Sequence, residues 1–253
     1  MRHKQIFAVL VLAWLALLLV SVAVAVPNGV TITAISNETG IPAAGGLINT
    51  SGGSITVMNL NGTTQNSRWK AFVGNVSGTL TLDDASGATI YDWSLTAITG
   101  EVYATRSSGI INWSGINCAP LNATETESIN LSHTNADDNI TATFNGIDNQ
   151  EMFVGTKQIK QNTCRTTNLY QNSTDPSANT DAFEELVLHD RGNSSIALNN
   201  FTSFGNIVYA QSLQDNALGY DNQSTYDFQL IVPERGSVGW ASSTAYYFYI
   251  ELN

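Results

Sequence analysis

The sequence predicts an all-β protein: an antiparallel β-sandwich or jelly-roll-like body preceded by an N-terminal apolar signal helix. Three observations carry that prediction. After residue 26, short β-branched and aromatic runs alternate with turn clusters every 8 to 15 residues. Apolar residues spaced three and four apart, the mark of a helix, are nearly absent there. A basic start, an apolar run and small residues open the chain, as in an export signal.

The first element is that signal. Met1-Arg2-His3-Lys4-Gln5 leads into an apolar run from Ile6 to Val26 broken only by Ser21, and Ala23-Val24-Ala25 supplies a small-residue processing site. Cleavage is expected after Ala25. The alternative is an uncleaved anchor, since about 21 residues at 1.5 Å each span the hydrocarbon core of a bilayer. Membrane contact is expected only through residues 6–26, and only in that alternative. In both cases Arg2 and Lys4 hold the N-terminus in the cytoplasm and the rest of the chain is exported. The expected localisation is therefore extracellular or at the cell surface.

Residues 26–53 follow as a solitary strand, Val30 to Ile35, and a flexible Gly-rich connector (Pro42-Ala43-Ala44-Gly45-Gly46, Ser51-Gly52-Gly53). The body is expected over 54–253. Its strands are predicted at Ser54–Leu60, Trp69–Val73, Gly78–Leu82, Thr89–Ile98, Glu101–Thr105, Ile110–Trp113 and Ile140–Phe144. Later ones are Glu185–His189, Asn206–Gln211, Thr225–Val232 and Ala245–Leu252. Asn61-Gly62 and Asn145-Gly146 are hairpin-turn signals, because both residue types tolerate positive φ. Asp83-Asp84-Ala85-Ser86-Gly87 should close a hairpin between Thr79–Leu82 and Thr89–Trp93. A second polar connector runs from Gln171 to Asp181. Tyr246-Tyr247-Phe248-Tyr249 is apolar on both faces, which suits a strand central in its sheet or covered by a partner.

Arg68-Trp69-Lys70-Ala71-Phe72-Val73-Gly74-Asn75-Val76-Ser77-Gly78, with Leu80-Thr81-Leu82-Asp83 and Tyr91-Asp92-Trp93, lies in a block from Ser54 to Trp93. That block resembles a segment of exported, largely uncharacterised archaeal surface proteins. The resemblance implies an envelope or extracellular address in an organism with N-glycosylation, and no defined activity. Read physically, Trp69, Phe72, Leu80, Leu82 and Trp93 are expected to fill one sandwich core.

Twelve Asn-x-Ser/Thr tripeptides occur in 253 residues, against about five expected by chance from the composition. Candidate glycosylation sites are Asn37, Asn49, Asn61, Asn75, Asn122, Asn130, Asn139, Asn172, Asn193 and Asn222. Asn112 and Asn200 complete the twelve; lying in or beside predicted strands, they are expected to stay unmodified. Residues 26–36 and 225–253 contain no acceptor. Only 12 per cent of residues are charged, about half the usual share. Without Arg2 and Lys4, 8 basic residues stand against 21 acidic ones, a net charge of −13. That excess argues against nucleic acid or anionic lipid as a partner. Cys118 and Cys164 are expected to form a disulfide in an exported chain.

Candidate chemistry is sparse. Glu185, Val187 and His189 share one face of a predicted strand, where a carboxylate and an imidazole act as base and orienter or hold a metal. The bland reading is an edge strand with polar residues facing water. No nucleophile elbow is present, no catalytic residue is assigned and no metal ligand set is assigned. Asp83-Asp84, Asp137-Asp138-Asn139 and Asp215-Asn216 offer oxygen ligands to calcium or serve as ordinary turns; no cofactor is expected otherwise. Lys157, Lys160 and Arg165 form the only basic cluster. The leading expectation is a non-enzymatic, N-glycosylated structural or adhesive surface protein that associates with itself or with other surface components. A second is a pilus-like filament subunit in which Val30, Ile32 and Ile35 insert as a donor strand into a neighbouring subunit. A third is a carbohydrate-binding module or secreted hydrolase.

Overall fold

Antiparallel pairing organises the chain. The structure is a computed structural model that describes residues 26–174, 183–191, 205–235 and 243–253. The predicted signal, Asn193, Asn200 and residues 175–182 of the polar connector lie outside the described residues. Among the described residues no helix is long and apolar enough to cross a membrane. In chain order the elements are β1 (Asn28–Gly29), β2 (Trp69–Gly74), β3 (Thr79–Asp83), β4 (Thr89–Ser94), β5 (Gly100–Thr105) and β6 (Asn117–Cys118). Helices α1 (Leu121–Asn130) and α2 (Ile140–Thr143) follow. Then come β7 (Met152–Val154), β8 (Lys157–Ile159), β9 (Arg165–Asn168), β10 (Glu184–His189) and β11 (Ile207–Ser212). Last are β12 (Ala217–Leu218), β13 (Thr225–Tyr226), β14 (Phe228–Pro233) and β15 (Tyr247–Leu252).

The central sheet has seven strands in the order β1-β15-β5-β11-β10-β6, with β9 beside β6 on the same edge of β10. Alternation along these strands separates two apolar cores, one on each face. Val102, Ala104, Val187 and Tyr209 point to one face. Tyr103, Leu186, Leu188, Val208 and Ala210 point to the other. The first core is roofed by a two-stranded sheet, β2 with β14, and by Ala123, Leu131, Ile140 and Phe144 from α1 and its surroundings. The second is closed by Ile111, Ile116, Met152, Val154 and Ile159. Each fully buried aliphatic side chain here contributes roughly 1.5–3 kcal/mol. Cys118 and Cys164 are disulfide-bonded and staple β6 to the start of β9, so the two short strands hold one edge of β10 together.

Several local expectations are corrected. Ile140–Phe144 is not a strand: Asn139 caps a helical turn, its Oδ1 accepting the Ala142 N–H at 2.7 Å. Leu121–Asn130, without apolar periodicity, is a helix. Its buried face is mostly small and polar, and Thr124, Thr126 and Ser128 return their hydroxyls to helix carbonyls. Ile110–Trp113 leads into a 3₁₀ turn over Trp113–Gly115 instead of pairing. Neither Asn61-Gly62 nor Asn145-Gly146 closes a hairpin; Gly146 makes an isolated bridge to Thr166. The 83–87 turn does close one, because Asp84 Oδ1 accepts the N–H groups of Ser86 and Ala88, both at 2.8 Å. β10 is an interior strand with every residue buried, not a wet edge. β15 is next to last in its sheet, with only Asn28 and Gly29 on its outer side.

Candidate functional site

The two-stranded roof has one closed edge and one open edge. Along β14, Phe228, Leu230 and Val232 lie opposite Gly74, Phe72 and Lys70 of β2. The N–H groups of Gln229 and Ile231 point the other way, where a third strand would supply carbonyls. Buried side chains of the central sheet take that place: Gln211 Oε1 accepts from Gln229 and Glu185 Oε2 from Ile231, each at 2.8 Å. Burial pushes the Glu185 carboxyl well above its usual range, with the Ile231 bond acting in the opposite sense. At β2 no such closure exists. The outward N–H groups of Ala71 and Val73 have no partner among the described residues.

One residue of the N-terminal arm, Asn37, meets β2, through the Lys70 side chain. Residues 30–66 form no strand, and Ile32, Ile35 and Ile55 are 61, 96 and 96 per cent exposed. The strands predicted at Val30–Ile35 and Ser54–Leu60 are therefore unpaired in the isolated chain. Near its start the arm is held by the pairs of Asn28 with Ile250 and Gly29 with Tyr249, by the buried Pro27, and by Lys70 Nζ, which donates to Asn37 Oδ1 at 3.2 Å; at its end Asn66 donates to Asp138. β-patterned sequence without a ladder leaves its backbone and apolar groups to water, which costs free energy unless a partner covers them.

The β3–β4 hairpin is also uncovered. Leu80 lies opposite Trp93 and Leu82 opposite Tyr91, so one face carries four exposed apolar side chains. Leu80, Leu82 and Trp93 thus do not share a core with Trp69 and Phe72, which pack against the first core. A two-stranded hairpin is marginal alone in water. Between it and the C-terminus lies a groove of about 630 Å³ lined by Leu80, Trp93, Leu95, Ala97, Thr99 and Asn253.

The sequons fall mostly on exposed backbone. Asn37, Asn49, Asn61, Asn75, Asn112, Asn130, Asn172 and Asn222 are exposed. Asn122 and Asn139 are half-buried; Asn122 Oδ1 is shut away from solvent within α1, and Asn139 caps α2. Asn112 sits outside any strand, so the steric reason given for leaving it bare does not hold.

The candidate catalytic chemistry is buried and dispersed. Glu185 and His189 lie on one face of β10, but four residues of strand separate them by about 13 Å. His189 Nδ1 accepts the Arg191 N–H at 3.4 Å. A second acid pair, which sequence reasoning missed, stands on the other core face: Glu101 lies opposite Glu251 across β5 and β15, both buried. Glu251 accepts the Gly155 N–H and the Tyr103 hydroxyl. Burial and then the Glu251 charge push Glu101 up to about 7. Its signal was a Glu two residues from the chain end in an otherwise apolar strand. His133 is buried against the Glu234 carbonyl, and burial lowers its pKa. The acidic loops act as turns: Asp138 pairs with Arg68 at 2.9 Å, and Asp215 accepts the Ile98 N–H. Among the described residues no group of three or more His, Cys, Asp or Glu is placed to hold a metal ion. In the basic cluster, Arg165 donates to the Phe144 carbonyl. In the 246–249 run, Phe248 packs on the first core, the Tyr246 hydroxyl donates to the Pro233 carbonyl, and Tyr247 is exposed.

No protein-family model matches the chain, and neither a curated protein nor a solved structure is similar to it. The arm and the open edges are accordingly read on their own geometry.

Proposed function

We propose that this chain is an exported, N-glycosylated, non-enzymatic structural subunit of the cell surface that assembles with further copies of itself through its N-terminal arm. One observation carries the reading. Val30–Ile35 has the alternation of a half-buried strand, yet it is unpaired and its isoleucines are exposed, while the body behind it already builds two apolar cores of its own. A strand donated from one copy to another covers those side chains and completes the roof over the first core, turning the partial second layer into a full β-sandwich. The export signal, the dispersed sequons and the sparse charge support an extracellular address. The resemblance of Ser54–Trp93 to archaeal surface proteins agrees with it.

The test is the native material. Electron microscopy with mass spectrometry of surface fractions is expected to find the chain in polymers, cleaved after Ala25 and with glycans on several of the exposed sequons. A bare monomer in the medium refutes the proposal.

A further inference from the structure

The self-assembly reading leaves open where the arm goes. We infer that the outer edge of β2 is its acceptor, and that the occupant is a second copy of this chain: Val30–Ile35 of one copy lies beside Trp69–Gly74 of the next. The inference rests on the proposed function and adds the partner surface to it.

Four observations converge on that edge. In the β2–β14 sheet it is the side left open, since Gln211 and Glu185 close the other from within. Prolonging the sheet at β14 would have to displace two hydrogen bonds from buried side chains of the central sheet, whereas Ala71 and Val73 present outward N–H and C=O groups ready for a strand. Next, the first core is incompletely sealed on this side. Phe72 packs edge-on against Phe248 at 5.0 Å, and both rings, with Ile98, Ile250 and Leu252, are only partly buried. A strand laid there covers them.

The donor run has the matching pattern. Val30, Ile32 and Ala34 occupy one face and Thr31, Thr33 and Ile35 the other, so Val30 and Ile32 insert towards a core while Ile35, at the end of the run, does not share their face. Ser54–Leu60 matches less well, because Met58 and Leu60 share a face with Ser54 and Thr56. Sugar does not obstruct either partner: no acceptor lies within 26–36 or 69–74, and Asn37 and Asn75 stand just past the two runs.

A second copy, and not the chain's own arm, is the occupant. The arm is already tethered within reach of its own β2 by Gly29 on Tyr249 and Asn37 on Lys70, yet it makes no ladder with β2. The two-residue β1 ladder is short enough to come away. Residues 36–68 then extend to about 110 Å at roughly 3.3 Å each, several times the radius of gyration of about 17 Å expected for a domain of some 200 residues. The arm reaches a neighbour while remaining joined to its own β2.

The test uses two defective chains. Ala71→Pro removes an outward N–H and leaves the β2–β14 ladder intact; it keeps the arm and loses the acceptor. Deletion of residues 26–36 does the converse. By sedimentation velocity, each alone is expected to run as a monomer while the exported wild-type chain polymerises. Mixed in equal amounts, the two are expected to form a dimer and stop. Val73→Pro, at the other outward N–H, is run beside Ala71→Pro with the same expectation, and circular dichroism reports the fold of all three. Polymerisation of folded Ala71→Pro and Val73→Pro chains overturns the acceptor assignment. So does a mixture that stays monomeric when the deletion alone has stopped assembly; the proposed function then stands. If the wild-type chain forms no polymers, the proposed function itself falls.

Discussion

Glu185 on β10 and Ile231 on β14 are joined between layers: the Glu185 carboxyl accepts the Ile231 N–H at 2.8 Å. A side chain of the central sheet thereby completes the hydrogen bonding of a strand in the roof. Burial raises the carboxyl's pKa and so favours its neutral form, and an uncharged acceptor can make the same bond. Glu185→Gln retains an oxygen acceptor, while Glu185→Leu leaves a buried N–H unpaired. The Leu variant is expected to be less stable than the Gln variant by about 1–3 kcal/mol in urea unfolding. Equal stabilities would show that the bond carries no weight.

Glu101, buried opposite Glu251, sets a pH dependence with a definite sign. The folded-state pKa of Glu101 is about 7, raised from 4.5. The folded chain therefore binds more protons than the unfolded chain between those values, and stability falls as pH rises through that window. The loss attributable to Glu101 is at most about 3 kcal/mol by linkage. Glu101→Gln is expected to match the wild type near pH 4 and to exceed it at pH 8. Parallel urea profiles for the two chains from pH 4 to 8 would contradict the assignment.

The Cys118–Cys164 bridge closes a loop whose unfolded-state entropy is worth up to about 4 kcal/mol. Replacing both cysteines with Ala is expected to lower the melting temperature, with the same loss on adding reductant to the wild type. Hydrogen exchange should rise first at β6 and β9, the two strands tied by the bridge. An unchanged melt in reductant would remove the bridge from the set of stabilising contacts.

Gly100 opens β5 at φ +130°, and a Cβ there would meet the Glu251 backbone carbonyl. Both the backbone conformation and the close approach of β15 demand glycine. Gly100→Ala is expected to cost about 1–3 kcal/mol, read as a shift in urea midpoint. Wild-type stability in this variant would mean that β5 and β15 can separate there freely.

The sequence was informative where a pattern and its environment agree. The strands at Trp69, Glu101, Glu185, Asn206 and Ala245 were visible because β-branched and aromatic runs mark them, and the Asp83–Gly87 turn was visible from its own side-chain chemistry. Leu121–Asn130 was not, because its buried face is Ala, Thr and Ser, which carry no apolar periodicity. Thr225–Val232 read as one strand but is two, since Asp227 breaks it by binding the N–H groups of Val76 and Asn216. Ile140–Phe144 shows tertiary context and a cap overriding β propensity. Of the candidate site, the donor run and its freedom from sequons could be read directly. The acceptor could not, because edge status depends on which distant strands pair.

Sedimentation velocity of the chain from residue 26 onward, with and without residues 26–36, tests the proposed self-assembly through the arm most directly. The intact chain is expected to form large, heterogeneous polymers. The shortened chain is expected to sediment as one folded monomer with a melting temperature lowered by a few degrees at most, because those residues hold the body by two ladder pairs and the buried Pro27. Polymers of equal size from both chains, or a monomer from both, would contradict it.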